Sequence, residues 1–177
     1  MIRVILYLLA IFSANVITAA FSPLAWGPFI VPMGTFLIGA TFILRDLVQK
    51  RIGRRATYLV ILAALVLSAI SSALLGDTLL ITVASAITFA LSETIDTEIF
   101  TRLKASLAKR VLYSGLVGGA VDSAVFVIIG LSPLGAGILP WSAVPAAILG
   151  QYLVKSAMQA IGAGIVSRIL QHKESAV

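Results

Sequence analysis

Long uncharged runs alternate with short polar connections along the whole chain. The runs lie at Val4–Phe21, Phe29–Val48, Thr57–Leu75, Thr78–Phe100, Val111–Leu131 and about Ala143–Ser167. Each offers roughly the 20 apolar residues that a helix needs to cross a hydrocarbon layer of about 30 Å. The pattern predicts an all-α integral membrane protein with about six transmembrane helices, forming a single transmembrane domain over residues 1–177. The connections are too short to hold a separate soluble unit.

The connections differ in charge, and the difference sets an orientation. Residues 45–55 carry five basic side chains and residues 102–110 carry four, whereas 22–28, 76–77 and 132–142 carry none. Lys and Arg collect in cytoplasmic loops. The two basic connections therefore face inward, together with Arg3 and a tail holding Arg168 and Lys173, so that both termini are expected in the cytoplasm. Twelve of the thirteen basic residues obey this alternation, Arg45 counted among them. The outer connections hold Pro23, Pro28 and Pro32, then Pro133, Pro140 and Pro145, with Trp26 and Trp141 suited to the lipid–water boundary.

Composition agrees with this reading. Hydrophobic residues make up 60% of the chain and charged ones 11%, far from the balance of a soluble domain. The net charge of +6 lies at the ends of apolar runs, where it sets topology, and no nucleic-acid partner is expected. The first run resembles a signal peptide but leads into five more apolar segments, so it reads as a retained helix. With no cysteine and one histidine, His172 in the polar tail, neither a metal site nor any cofactor is expected. An intramembrane enzyme would need a nucleophile with its base, or a carboxylate–metal cluster. No Gly-x-Ser-x-Gly and no membrane histidine is present, so the chain reads as a non-enzyme.

Charges inside the runs carry the candidate chemistry. Asp122 stands about 18 Å along its helix from Arg110, and Lys155 about 20 Å from Arg168, so both reach the bilayer midplane at similar depth. An unpaired charge there costs about 2.5 to 3.5 kcal/mol or more, so both should face the interior or a wet cavity, and a direct pair is geometrically allowed. Glu93 and Asp96 are three residues apart and share a helix face. Asp96, nearer Arg102, is expected to reach inner headgroup water in part. Gln151, Lys155 and Gln159 recur every four residues as one polar stripe. The stripe suits either a planar polar heterocycle or hydrogen bonds between helices, and Asn15 invites the same two readings. Arg45 and Asp46 stand at the inner end of the second run, where Asp46 could hold a basic side chain or gate the inner mouth. Gly115, Gly118 and Gly119 permit close packing, within the bundle or against a second copy, which leaves a homo-oligomer open.

Several of these segments resemble the VUT family, also called the queuosine-precursor transporter family. The resemblance rests on Trp26-Gly27-Pro28, on Arg45-Asp46-Leu47-Val48 leading to Arg51-Ile52-Gly53, and on Ser92-Glu93-Thr94-Ile95-Asp96-Thr97 with Phe100 and Arg102. It continues in Gly119-Ala120-Val121-Asp122-Ser123 with Phe126, and in Lys155. It implies import, across the cell membrane or the inner membrane of a Gram-negative cell, of a small solute such as 7-cyano-7-deazaguanine by alternating access. The implied site is built from Glu93, Asp96, Asp122 and Lys155 with Gln151 or Gln159. The partners are then a small molecule and the lipid bilayer. Six helices at this length also suit the substrate-binding subunit of an energy-coupling-factor vitamin transporter, with Ala10 and Ala14 as a docking seam.

Overall fold

The computed structural model describes the backbone of residues 1–174 and the side chains of residues 1–169; the side chains of His172 and Lys173 lie outside them. The chain forms α1 (Ile2–Ala20), a hairpin of β1 (Leu24–Trp26) and β2 (Phe29–Val31), α2 (Thr35–Leu74), α3 (Leu79–Arg102), α4 (Leu107–Phe126) and α5 (Val144–Glu174). α4 continues into a π-helical turn at Val127–Leu131. By length and composition, four of the described helices can cross a membrane: α1, α2, α3 and α4 with its extension. In α5 the stripe of Gln151, Lys155 and Gln159 dilutes the hydropathy.

α2 has 40 residues, about 60 Å if straight and twice the hydrocarbon thickness. It is not straight. Gly53 has φ 80° and ψ 168°, a region that costs a side-chain-bearing residue dearly but not glycine. The Thr57 hydroxyl donates to the Gly53 carbonyl at 2.8 Å and holds the restart. The second and third apolar runs are thus two arms, 35–52 and 54–74, joined by one residue. The basic connection expected over 45–55 is helical almost throughout, and Arg45 lies inside the bundle.

Contacts fix the directions of the arms. Arg3 donates to the Leu47 carbonyl while Asn15 donates to Ser68, so α1 runs against the first arm and along the second. Arg45 meets Asp96 and Gln49 meets Thr101, whereas Ser72 meets Thr82; α3 therefore runs along the first arm and against the second. Lys155 meets Asp122 and Gln159 abuts Gly115, which sets α5 against α4. Arg3, the Gly53 break and the 103–106 connection gather at one end, the hairpin and Asp77 at the other.

The expected helix start at Phe29 is wrong by six residues. Trp26 pairs with Phe29 across a two-residue Gly27-Pro28 turn, with Gly27 at φ 58°. Positive φ at the first turn position is what a tight hairpin demands, and the proline cannot donate to a continuing helix. The hairpin seats on α5 at Gly150, where a side chain would press on Phe29 and Val31.

Polarity is reversed relative to a soluble fold. The interior holds Arg45, Asp46, Glu93, Asp96, Gln151, Lys155 and Gln159, all nearly inaccessible. The outside carries Leu59, Leu62, Val66 and Ile70 on the second arm and Leu79, Val83, Ile87 and Leu91 on α3. An apolar coat at helical spacing over a charged core suits hydrocarbon, not water. In that solvent, close packing and polar contacts hold helices together, because lipid tails are as apolar as leucine.

Candidate functional site

Two buried ionic groups occupy the middle of the bundle. In the first, Lys155 Nζ on α5 lies 2.5 Å from Asp122 Oδ2 on α4. It also donates to Ser123 Oγ at 3.1 Å and Gln151 Oε1 at 3.3 Å, while Ser92 Oγ donates to the other Asp122 oxygen at 3.2 Å. α3, α4 and α5 are thus stitched at one level. The pair that depth along the helices allowed is formed, and Asp122 retains 13% exposure.

The second group centres on Arg45 of the first α2 arm. Its Nε lies 3.1 Å from Glu93 Oε2, and its Nη2 lies 3.1 Å from Asp46 Oδ1 and contacts Asp96 Oδ2. Nη1 donates to Gln49 Oε1 at 2.9 Å and Thr97 Oγ1 at 3.0 Å. Every edge of the guanidinium is engaged, a geometry that a lysine cannot reproduce. Asp46 also accepts from Ser114 Oγ at 3.2 Å. Arg45, Asp46 and Asp96 are fully buried, which corrects two expectations: Arg45 is not a topological surface charge, and Asp96 does not reach headgroup water. Position along a helix gives depth but not facing, and the face of Asp96 is turned inward. Glu98, two residues on, faces outward and pairs with Arg54 and Arg102.

Above the Asp122–Lys155 pair a cavity of about 300 Å³ runs toward the hairpin end. This lies at the lower bound of small-molecule sites. Its walls are largely apolar, from Ile38, Phe89, Phe126 and Leu139, with Ile30 and Pro32 from the hairpin side. Asp122, Lys155, Gln151 and Asn15 line it, whereas Glu93, Asp96, Gln159, Arg45 and Asp46 do not. The expected site residues therefore separate into a cavity set and a closed set beneath it.

Two buried polar atoms on the cavity wall have no partner among the described residues: Gln151 Nε2 and Thr88 Oγ1. An unmet buried donor is costly, and both atoms border the cavity. Thr88 escapes sequence reading because a helical threonine ordinarily bonds its own preceding turn. Asn15 forms the inter-helix hydrogen bonds, its amide donating to Ser68 and Ser71 of the second arm, and it also borders the cavity.

The glycines of α4 pack inside the bundle. A side chain at Gly115 would run into Gln159, and one at Gly118 would press on Asp96 at 2.9 Å. Gln159 in turn donates to the Gly39 carbonyl at 3.0 Å. Gly115→Leu is expected to expel Gln159 and destabilise the chain by about 1 to 3 kcal/mol, as overpacking does. Thermal unfolding in detergent measures it, and an unchanged midpoint would contradict the close approach.

Comparison with known proteins agrees with this architecture. No curated protein and no solved structure matches the chain. The family model described as "Putative vitamin uptake transporter" matches residues 71–169, more than half of the chain, including α3, α4 and the α5 stripe. Polar interior, apolar coat and matched segment converge, and the chain belongs to the vitamin uptake transporter family.

Proposed function

We propose that the protein imports a small planar polar solute, a queuosine precursor such as 7-cyano-7-deazaguanine, by alternating access around the cavity above Asp122 and Lys155. The observation that carries the reading is the juxtaposition of the unpartnered Gln151 Nε2 and Thr88 Oγ1 with a carboxylate and an ammonium on one cavity wall. A deazaguanine presents ring N–H and amine donors on one edge, which suit Asp122, and a carbonyl that accepts from Gln151 or Lys155. The apolar walls of Phe89 and Phe126 suit its faces. A lookalike lacking one of those groups would strand a buried partner, and rejection follows from that cost.

In this reading the chain crosses the cell membrane six times, each α2 arm being one crossing, with both termini in the cytoplasm. Support comes from the end that gathers Arg3, Lys50, Arg51, Arg54, Arg55, Arg102 and Lys104, since cytoplasmic ends collect such residues. The cavity then faces outward, and the closed Arg45 cluster bars the inner side.

Uptake of labelled 7-deazaguanines in cells with and without the chain tests the substrate; no difference for any such base removes it. Gln151→Leu and Thr88→Val are expected to weaken uptake affinity about tenfold each, because each removes a hydrogen bond to a buried solute. Thermal stability should be unchanged in Thr88→Val, whose hydroxyl has no partner among the described residues, and lower by about 1 kcal/mol in Gln151→Leu, which takes an acceptor from Lys155. Loss of stability together with affinity in Thr88→Val would make that residue merely structural. The reading as a partner-dependent subunit loses part of its support, because Ala14 is buried where the chain closes on Gly34. Uptake in a host without the ATP-driven partner module separates the two.

A further inference from the structure

A second concavity lies on the outside of the bundle, at the basic end. It measures about 630 Å³ and is walled by the first α2 arm and the second half of α5, including Ile43, Gly162 and Ile165. Its rim carries Arg3, Lys50 and Arg51, and among the described residues no acidic side chain lines it. From Ala40 to Lys50 the trough runs about 15 Å along the helix axis, the reach of a good part of an acyl chain. Gly162 keeps the floor open, because a side chain there would collide with Ile43.

The rim charges differ from others at the same end. Arg54 and Arg102 are paired with Glu98, whereas Arg3, Lys50 and Arg51 form no ion pair among the described residues. Arg3 is held in place by one hydrogen bond, Nη1 to the Leu47 carbonyl at 3.0 Å, which leaves its other donors directed elsewhere. An apolar trough ending in three uncompensated cations is complementary to one class of molecule.

We propose that this groove binds a single anionic phospholipid, its phosphodiester at Arg3, Lys50 and Arg51 and an acyl chain in the trough. A zwitterionic lipid with a terminal amine fits less well, because among the described residues the groove has no carboxylate to receive the ammonium. A second copy of the chain fits less well still, since a two-fold interface would set like charges against each other. The site is separate from the solute cavity, on the opposite side of the Arg45 cluster, and does not depend on which solute is carried.

The test uses the full chain purified in detergent and offered equimolar phosphatidylglycerol, phosphatidylethanolamine and phosphatidylcholine, with bound lipid counted by native mass spectrometry. One retained phosphatidylglycerol per chain is expected, with retention falling about fivefold for each charge removed in Arg3→Gln, Lys50→Gln and their combination with Arg51→Gln. Equal retention of the three lipids, undiminished retention in the triple variant, or a lipid-free dimer would overturn the proposal. If the triple variant does not fold, the wild-type competition decides on its own.

Discussion

Replacing Lys155 with methionine is expected to abolish uptake and to lower the stability of the protein by about 3 to 5 kcal/mol, the usual result of stranding one member of a buried ion pair. Asp122 would lose its 2.5 Å partner while keeping Ser92 and a view of the cavity, which places the loss toward the lower figure. The diagnostic comparison is the double variant Asp122→Asn/Lys155→Met. Removing both charges removes the stranded ion, so the thermal midpoint should return most of the way to wild type. Uptake should not return, because the cavity then lacks its carboxylate and its ammonium. If the double variant transports normally, the pair serves only to hold α4 against α5, and the proposed site is wrong.

Arg45→Met is expected to have the larger effect on folding. It leaves Asp46, Glu93 and Asp96 together with no cation, all fully buried or nearly so. Little folded protein should survive size-exclusion chromatography in detergent. Arg45→Lys should rescue it poorly, because an ammonium cannot meet Nε, Nη1 and Nη2 partners on three sides. Neutralising the acids in the same background, with Asp46→Asn and Asp96→Asn, should recover monodisperse protein. Full stability in Arg45→Lys would show that charge, not the planar fork, is what the cluster requires.

Much of this was legible in the chain. The apolar runs marked where the helices lie, because long uncharged runs are what hydrocarbon demands of a helix, but not that the second and third runs are one helix broken at Gly53. The depth of Asp122 and Lys155 followed from helical rise alone. What could not be read was facing. Asp96 and Glu98 are two residues apart, and one is sealed in the core while the other binds surface arginines; a short charged stretch at a helix end has no pattern that tells the two apart. The same ambiguity hid Arg45 among the basic residues of its neighbourhood. The hairpin was missed for another reason: Phe29, Ile30 and Val31 are as apolar as the helix that follows, and only Gly27-Pro28 marked the turn. Thr88 was invisible because its importance lies in a missing partner.

The single-residue join at Gly53 bears on how the chain reaches its membrane. The arm at 35–52 carries Arg45 and Asp46 near its centre, and on insertion scales two such residues disfavour entry by about 5 to 7 kcal/mol in total. The arm at 54–74 has no charge beyond its first two residues. With no loop between them, neither arm can be threaded independently. If each arm is one crossing, the apolar arm must offset the cost of its charged neighbour until α3 packs beside them and brings Glu93 and Asp96 to Arg45.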